Sequence, residues 1–523
     1  MSDIKWSTSV RQRGKKTLPP LPNEIYLEIL QFFRLTEAVV VTEGPRAKKD
    51  LLNLALVCRF FCSIVVPWLF ETLRFIPRIG SEYKDFASQD YAPFCEDIVK
   101  GKMAARKLAR YVKRCTLKMW DLDDDRLVPA CSYREFLSLY WKALWHMPNI
   151  QEISLMDTSF TKEFLQTIGH LRHLKSLILG DCSLADDVNA RHLRNLSSLE
   201  LESLVVAFSA QDHVLMGFDV ALTIFPVLKQ LNLKFLLNLV TNSWYLIHGL
   251  SETEGILPLE TLDLYMIDDP EMMAKLLQRT PSLTTLRVCC IRNRSTAKFI
   301  LDSTALPVLK NVEGPISFLA CLIPGRPISS LRVANSLESF AISQPELEAL
   351  KSSSSPILHM QIPLSFYLQI PFHKHFLHIR TLRVDFCADD IPDTSQPHNV
   401  LIEQAILALT QAWPEHPPLR TLDLCFDRLG WPPLFFNPFK QEGWIYNLLL
   451  PKFPSLCKCL FGDTVHWSYL ESSWIAELPS NFFRNLVNHC KAGRITYEEL
   501  QNFIGSLVDG KSEVTNDDIE QSG

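Results

Sequence analysis

The chain is poor in glycine, with 18 among 523 residues. Neither a G-x-G-x-x-G nor a G-x-x-x-x-G-K stretch occurs, so the two common phosphate-cradling turns are missing. G-x-S-x-G and H-E-x-x-H are missing too, which removes the signatures of a serine hydrolase and of a zinc protease. Fourteen cysteines are present, yet none forms a C-x-x-C pair. The close pairs are Cys58 with Cys62, Cys289 with Cys290, and Cys457 with Cys459. They read as free thiols of a reducing compartment, with neither a disulfide framework nor zinc spacing. Charge of one sign does not dominate: 53 basic against 58 acidic residues give a net −5, which offers no basic field for nucleic acid. No catalytic set, metal site or cofactor is expected.

Long apolar runs are also scarce. One exists, LLNLALVCRFFCSIVVPWLF at 51–70, whose length would suit a bilayer. Arg59 sits near its middle and Pro67 lies inside it, so it reads as a buried protein segment and no membrane span is expected. The first residues have no apolar core and so make no secretory signal. Residues 1–17 carry a net +4, including RQRGKK, and read as a disordered basic tail. Residues 509–523 carry a net −4 and read as a disordered acidic tail. These features place the chain in the cytoplasm, the nucleus or both.

Just before the apolar run lies LPPLPNEIYLEILQFF, residues 18–33. Pro22 suits a helix start, and Ile25, Ile29, Leu30 and Phe33 recur at helical spacing. A polar connection follows, and Asp50 is placed to cap a second helix over about 51–66. That helix has two apolar stripes: Leu51, Ala55, Cys58, Cys62 and Val65, then Leu54, Val57, Phe61 and Ile64. A module of about 50 residues buries only about 60% of its chain surface, so the second stripe needs a partner.

The order L-P-x-E-I (Leu21–Ile25), I-L (Ile29–Leu30), LALVCRFF (Leu54–Phe61) and PWLF (Pro67–Phe70) resembles the F-box. The resemblance covers about residues 18–72. It implies three short helices docking a Skp-type adaptor, and through it a cullin and a RING subunit. It assigns the docking to Leu21, Pro22, Ile25, Ile29, Leu30, Leu54, Val57, Cys58, Phe61 and Trp68. The connection over about 34–50 is longer than an F-box usually has. Residues 73–111 read as a linker with capping helices.

From about residue 112 an L-x-x-L-x-L pattern recurs. It appears as VKRCTL (112–117), IQEISL (150–155), LKSLIL (174–179), LESLVV (201–206), LKQLNL (228–233), LETLDL (259–264) and LTTLRV (283–288). It continues as ISSLRV (328–333), LESFAI (337–342), IRTLRV (379–384) and LRTLDL (419–424). A period near 26 is that of leucine-rich repeats. Between copies lie helical stretches: DDPEMMAKLLQRTP, with Asp269 as cap, and HNVLIEQAILALTQAW (398–413). The fold class expected is therefore α/β: a three-helix F-box, then an irregular leucine-rich-repeat solenoid over 112–480, with a parallel sheet on the concave side and helices outside. The consensus Asn after the strand is mostly absent. A capping helix is expected over 481–508, from ITYEELQNFIGSLVDG. Segments 306–333 and 453–467 are similar to those of fungal F-box proteins with degenerate repeats.

DLDDDR (121–126) begins like a calcium loop but has Arg126 where Gly is needed, so it reads as a solvated loop. His373, His375 and His378 lie close in sequence, with 373 and 375 on one face of a strand, but without a carboxylate or thiol neighbour. Binding is expected instead on the concave sheet face, where the residue between the last two apolar positions points. That column reads Ser154, Ile178, Val205, Asn232, Asp263, Arg287, Arg332, Ala341, Arg383 and Asp423, with Tyr265 and Asp385 just beyond. Target recognition is expected at Asn232, Asp263, Tyr265, Arg287, Arg332, Arg383, Asp385 and Asp423, with the arginines suited to an acidic or phosphorylated segment. The function expected is a non-catalytic substrate receptor of a Skp–cullin–F-box ubiquitin ligase. The alternative is a repeat scaffold with a helical cap and no ligase role.

Overall fold

A computed structural model describes residues 23–31, 44–76, 91–120, 130–185, 188–207, 233–241, 244–252, 254–267, 269–291, 299, 301–302, 304–334, 342–369, 375–386, 398–411, 417–425, 438–461, 465–470, 472–477 and 496. The two tails, DLDDDR and the helix expected over 481–508 lie outside this set, apart from the single residue Thr496. The chain divides into two compact units, Met1–Thr253 and Glu254–Gly523.

The first unit opens with three helices, Asn23–Gln31, Gly44–Val57 and Arg59–Glu71. The single helix expected over 51–66 is thus two, and residues 44–50 of the connection before it are helical, while residues 34–43 lie outside the described set. Asp50 lies inside the second helix and caps nothing there. Pro45 in the first turn explains the early start, since its missing N–H costs no bond there. Cys58 breaks the run: its backbone is extended (φ −160°, ψ 165°), and its Sγ accepts from the Phe61 N–H at 3.5 Å, capping the third helix. Leu51, Val65 and Leu69 form the small core, with Leu54, Ala55, Trp68 and Phe70 packed against it. The Tyr26 ring meets Phe60 and Phe61 edge-on at 6.0 and 5.9 Å, which ties the first helix to the third.

The sheet begins earlier than the repeat pattern. β1 (Thr72–Phe75) follows the third helix directly and pairs in parallel with β2 (Arg114–Trp120). Next come β3 (Glu152–Phe160), β4 (Ser176–Gly180), β6 (Ser203–Ala207) and β7 (Asn238–Thr241), all parallel, with the two-residue β5 (Ser183–Leu184) beside the end of β3. The second unit repeats the plan with β8 (Thr261–Ile267), β9 (Thr285–Ile291), β10 (Asn311–Gly314), β11 (Ser330–Val333), β12 (His359–Pro363), β13 (Thr381–Asp385), β14 (Thr421–Cys425) and β15 (Lys458–Phe461). These eight are parallel in chain order. A hairpin of β16 (Val465–Leu470) and β17 (Ser473–Glu477) follows, antiparallel. The architecture is α/β and solenoid-like, a stack of strand–helix units.

A backbone ladder marks each copy. The carbonyl just after the first apolar residue of one copy accepts two N–H groups from the next copy. Lys113 accepts from Gln151 and Glu152, Gln151 from Lys175 and Ser176, and Lys310 from Ser329 and Ser330. The ladder also identifies copies that the leucine pattern missed. LLNLVT (236–241), LKNVEG (309–314) and ILHMQI (357–362) all bury their first and fourth residues. LKNVEG ends in glycine because the Phe318 ring fills that place: a Cβ on Gly314 would lie 3.0 Å from Phe318 Cδ1. LKQLNL lies outside the described residues apart from Leu233. Its last residue starts a 3₁₀ turn, Leu233–Phe235, and β7 is the strand that pairs with β6. LESFAI lies outside the described residues apart from Ile342, and β12 is the described strand that pairs with β11.

The missing consensus Asn is replaced by other donors. Three residues past the last apolar position of β2, β3 and β4 stand Trp120, Thr158 and Cys182, all fully buried. Trp120 Nε1 donates to the Phe75 carbonyl at 2.7 Å; Thr158 Oγ1 donates to the Met156 carbonyl at 2.7 Å and lies 3.4 Å from that of Leu117; Cys182 Sγ lies 3.3 Å from the Gly180 carbonyl and 3.4 Å from that of Leu155. Each thus has a carbonyl of the preceding strand within reach, and the indole satisfies it outright. The residue before each, Met119, Asp157 and Asp181, has a positive φ of 65°, 47° and 46°, which turns the chain so that the donor points inward.

Helix Pro270–Gln278 forms as its sequence predicts: Asp269 accepts from the Glu271 and Met272 N–H groups at 2.9 and 3.2 Å, and Met273, Leu276 and Leu277 are buried. Helix His398–Gln411 is fastened by the Tyr367 hydroxyl donating to the Leu409 carbonyl at 2.9 Å. In the GRPISS stretch, Arg326 is buried and donates to the carbonyls of Ala305, Leu322, Pro324 and Asp302. Burial pulls its pKa down, and Asp302 partly offsets that. The role of Arg326 is structural.

Candidate functional site

The helical module presents an apolar face to solvent. Leu56 is 85% exposed and Val57 65%, with Leu52 and Ile25 also exposed. Leu52 and Leu56 are one helical turn apart. The sequence reading named Val57 and Ile25 but passed over Leu52 and Leu56, because both fall outside the two stripes drawn on a single continuous helix. Other expected docking residues fall differently. Leu30 is buried, so it belongs to the core and cannot meet a partner as it stands. Leu54 and Trp68 are half-buried against Leu51, Val65 and Leu69. Phe61 is half-buried, and Cys58 is the helix cap. Leu21 and Pro22 lie outside the described residues, and the side chain of Ile29 is not described.

The second candidate is the solvent face of the second unit. Strand registers place Asp263, Arg287, Glu313, Arg332, Gln361, Arg383 and Asp423 side by side on β8 to β14. The sequence reading brought five of these together correctly. It missed Glu313 and Gln361 because their strands, LKNVEG and ILHMQI, do not end in the leucine pattern. Asn232 lies outside the described residues. In the first unit the same row reads Arg74, Thr116, Ser154, Ile178, Val205 and Val240, small or apolar beyond Arg74.

The arginines in this row are already engaged. Arg287 lies 3.6 Å from Asp263 and 3.7 Å from Glu313, and Arg332 lies 3.1 Å from Glu313. Arg383 reaches Asp385 at 3.0 Å, Asp423 at 3.1 Å and Cys425 Sγ at 2.7 Å. Burial works against the Arg383 charge, but the Asp385 hydrogen bond and the charges of Asp423, Cys425 and Asp385 outweigh it and hold its pKa above the usual range. Asp385 is itself buried and also accepts from Gln361 at 2.7 Å. It orients Arg383 and is not exposed for a target. The arginines expected to meet an acidic or phosphorylated segment are paired within the row: three guanidinium groups face four carboxylates, a local net of −1. Tyr265, two residues beyond Asp263, is exposed as expected.

Of the three histidines only His375 and His378 are described, and neither is on a strand. His375 and His378 precede β13, and residue 373 is not described. Among the described residues no group of His, Cys, Asp and Glu could hold a metal ion, and no helix is long and apolar enough to cross a membrane. Burial raises the Cys95 and Cys182 thiols to about 12, so both are protonated at neutral pH and unsuited to nucleophilic work.

No protein-family model matches the chain, and no curated protein does. Among solved structures, the yeast complex of Rad7 and Elc1 aligns over 86% of this chain and 94% of its counterpart, at 14% identity and a TM-score of 0.31. An internalin from Listeria monocytogenes aligns over 64% of this chain and 88% of its own, at 13% identity and a TM-score of 0.26. The leucine-rich-repeat ectodomain of a receptor kinase from Arabidopsis thaliana aligns over 69% of this chain and 43% of its own, at 12% identity and a TM-score of 0.22.

Proposed function

We propose that this chain is a non-catalytic substrate receptor of a Skp–cullin–F-box ubiquitin ligase. Its N-terminal helices hold the Skp-type adaptor, with cullin and RING subunits beyond it, and its repeats hold a target protein. The observation that carries the reading is the exposed Leu52–Leu56–Val57 face on a helix whose opposite side, at Leu51, is fully buried. Covering a leucine or valine of that exposure yields about 1.5–3 kcal/mol each, so a partner helix has much to gain there. The F-box order of the sequence supplies the identity of that partner. The mechanism is proximity: holding the target beside the ubiquitin-carrying enzyme makes transfer effectively intramolecular. Such a receptor works in the cytoplasm, the nucleus or both.

The test is co-purification. Leu56→Asp with Val57→Asp removes capture of a Skp-type adaptor and leaves the melting temperature unchanged, since neither side chain is in the core. Retained capture in that double variant, and in Leu21→Asp, Ile29→Asp, Trp68→Asp combined, defeats the ligase reading. One observation favours the alternative, a scaffold with a helical cap. β1 continues directly from the module and buries Leu73 and Phe75 beside β2, so the module does close the end of the sheet.

A further inference from the structure

We propose that Asp263, Arg287, Glu313 and Arg332 form a docking row for a partner α-helix whose charges alternate in sign from turn to turn. The proposal rests on the target-binding role of the repeats. The four residues come from four consecutive strands at one register level. Their signs run minus, plus, minus, plus. The acids sit low and the guanidinium heads stand out: Glu313 is 14% exposed, against 53% for Arg287 and 40% for Arg332. Each arginine is steered by a carboxylate on a neighbouring strand, so the row holds its geometry before any partner arrives.

Charge and spacing then select the partner. A uniformly acidic or phosphorylated segment would set anions beside Asp263 and Glu313, and like charges so placed oppose binding. Strands lie about 4.8 Å apart, so three intervals span about 14 Å. Residues i, i+4, i+7 and i+11 of an α-helix share a face and span about 16.5 Å, a difference of about 2 Å that long charged side chains absorb. An extended segment places same-face side chains about 6.7 Å apart, or about 20 Å over three intervals, and falls out of step. The matching helix carries a base opposite Asp263 and Glu313 and an acid opposite Arg287 and Arg332. The exposed Tyr265 ring, beside Asp263 on β8, offers an aromatic anchor at one end of the row.

The test is fluorescence anisotropy on the full chain with three labelled peptides of one alanine-rich helical host. The first carries Lys, Glu, Lys, Glu at i, i+4, i+7 and i+11. The second has the same residues in blocks, Lys, Lys, Glu, Glu. The third carries four Glu. The alternating peptide is expected to bind about tenfold more tightly than either control, a difference of about 1.4 kcal/mol. Glu313→Arg with Arg332→Glu, which turns the row into minus, plus, plus, minus, is expected to abolish that preference. Equal or tighter binding of the all-Glu peptide overturns the proposal, as do three indistinguishable affinities, no saturable binding of the alternating peptide, or a preference that survives the swap. Adaptor capture is measured on the same protein. If capture persists while the peptide preference fails, the docking row is refuted and the ligase reading stands. If capture alone fails, the reverse holds.

Discussion

At the scale of single residues, the fold reuses positions and changes their chemistry. Trp120, Thr158 and Cys182 occupy equivalent places, and each lies within hydrogen-bond reach of a carbonyl of the preceding strand, although Thr158 and Cys182 have a shorter acceptor two residues back. Thr158→Val removes a buried donor of nearly the same shape and is expected to cost about 1 kcal/mol, read as a lower calorimetric midpoint. Thr158→Asn, which brings back the consensus donor, is expected to stay within about 0.5 kcal/mol of the parent. If both variants melt alike, the hydroxyl does not perform the role of the Asn. These equivalences were invisible in the sequence because an indole, a hydroxyl and a thiol share no pattern; only their common hydrogen-bond geometry relates them. The same limit hid Glu313, whose strand ends in glycine.

At the scale of elements, Cys58 divides the apolar run into two helices. Leu52 and Leu56 lie on the helix before the break, on the side away from the buried Leu51, and are exposed there. Sulfur is a weak acceptor, so the cap can be improved. Cys58→Ser is expected to raise stability by roughly 0.5–1 kcal/mol, and Cys58→Ala to lower it by a smaller amount. Calorimetry on the full chain checks both, and a loss of stability in the serine variant contradicts the cap assignment. Elements with complete local signals were legible in advance. Helix Pro270–Gln278 has its cap, its leading proline and its apolar stripe in nine residues and two neighbours. The break at Cys58 had no such signal, since nothing in LALVCRFF marks an extended residue.

At the scale of the molecule, the N-terminal module is stitched into the repeat sheet. β1 pairs with β2, the Phe75 ring stacks on Tyr140 at 4.3 Å, and the Phe75 carbonyl accepts from the buried Trp120 indole. Deleting residues 1–76 therefore removes a strand, a buried aromatic ring and the acceptor of Trp120. That truncation is expected to destabilise the first unit by about 3–5 kcal/mol or more, the usual cost of losing one buried phenylalanine. Limited proteolysis should cleave it far faster than the full chain. Equal protease resistance would show the module to be dispensable. Target trapping is accordingly better done with Leu56→Asp and Val57→Asp than with an F-box deletion.

The sequence by itself determined the class of this protein. The leucine period sets strand against helix at each copy, and the greasy N-terminal helices require cover beyond a small module. Those are local signals, carried by spacing and by the cost of exposing apolar surface. Tertiary structure alone decided which copies pair, where the sheet starts, and how charges meet across it. The ladder Asp263–Arg287–Glu313–Arg332 draws on residues from four separate copies. Its alternation exists only once parallel strands lie side by side in register, and this turned a row of arginines, seemingly open to any anion, into a paired surface of nearly balanced charge.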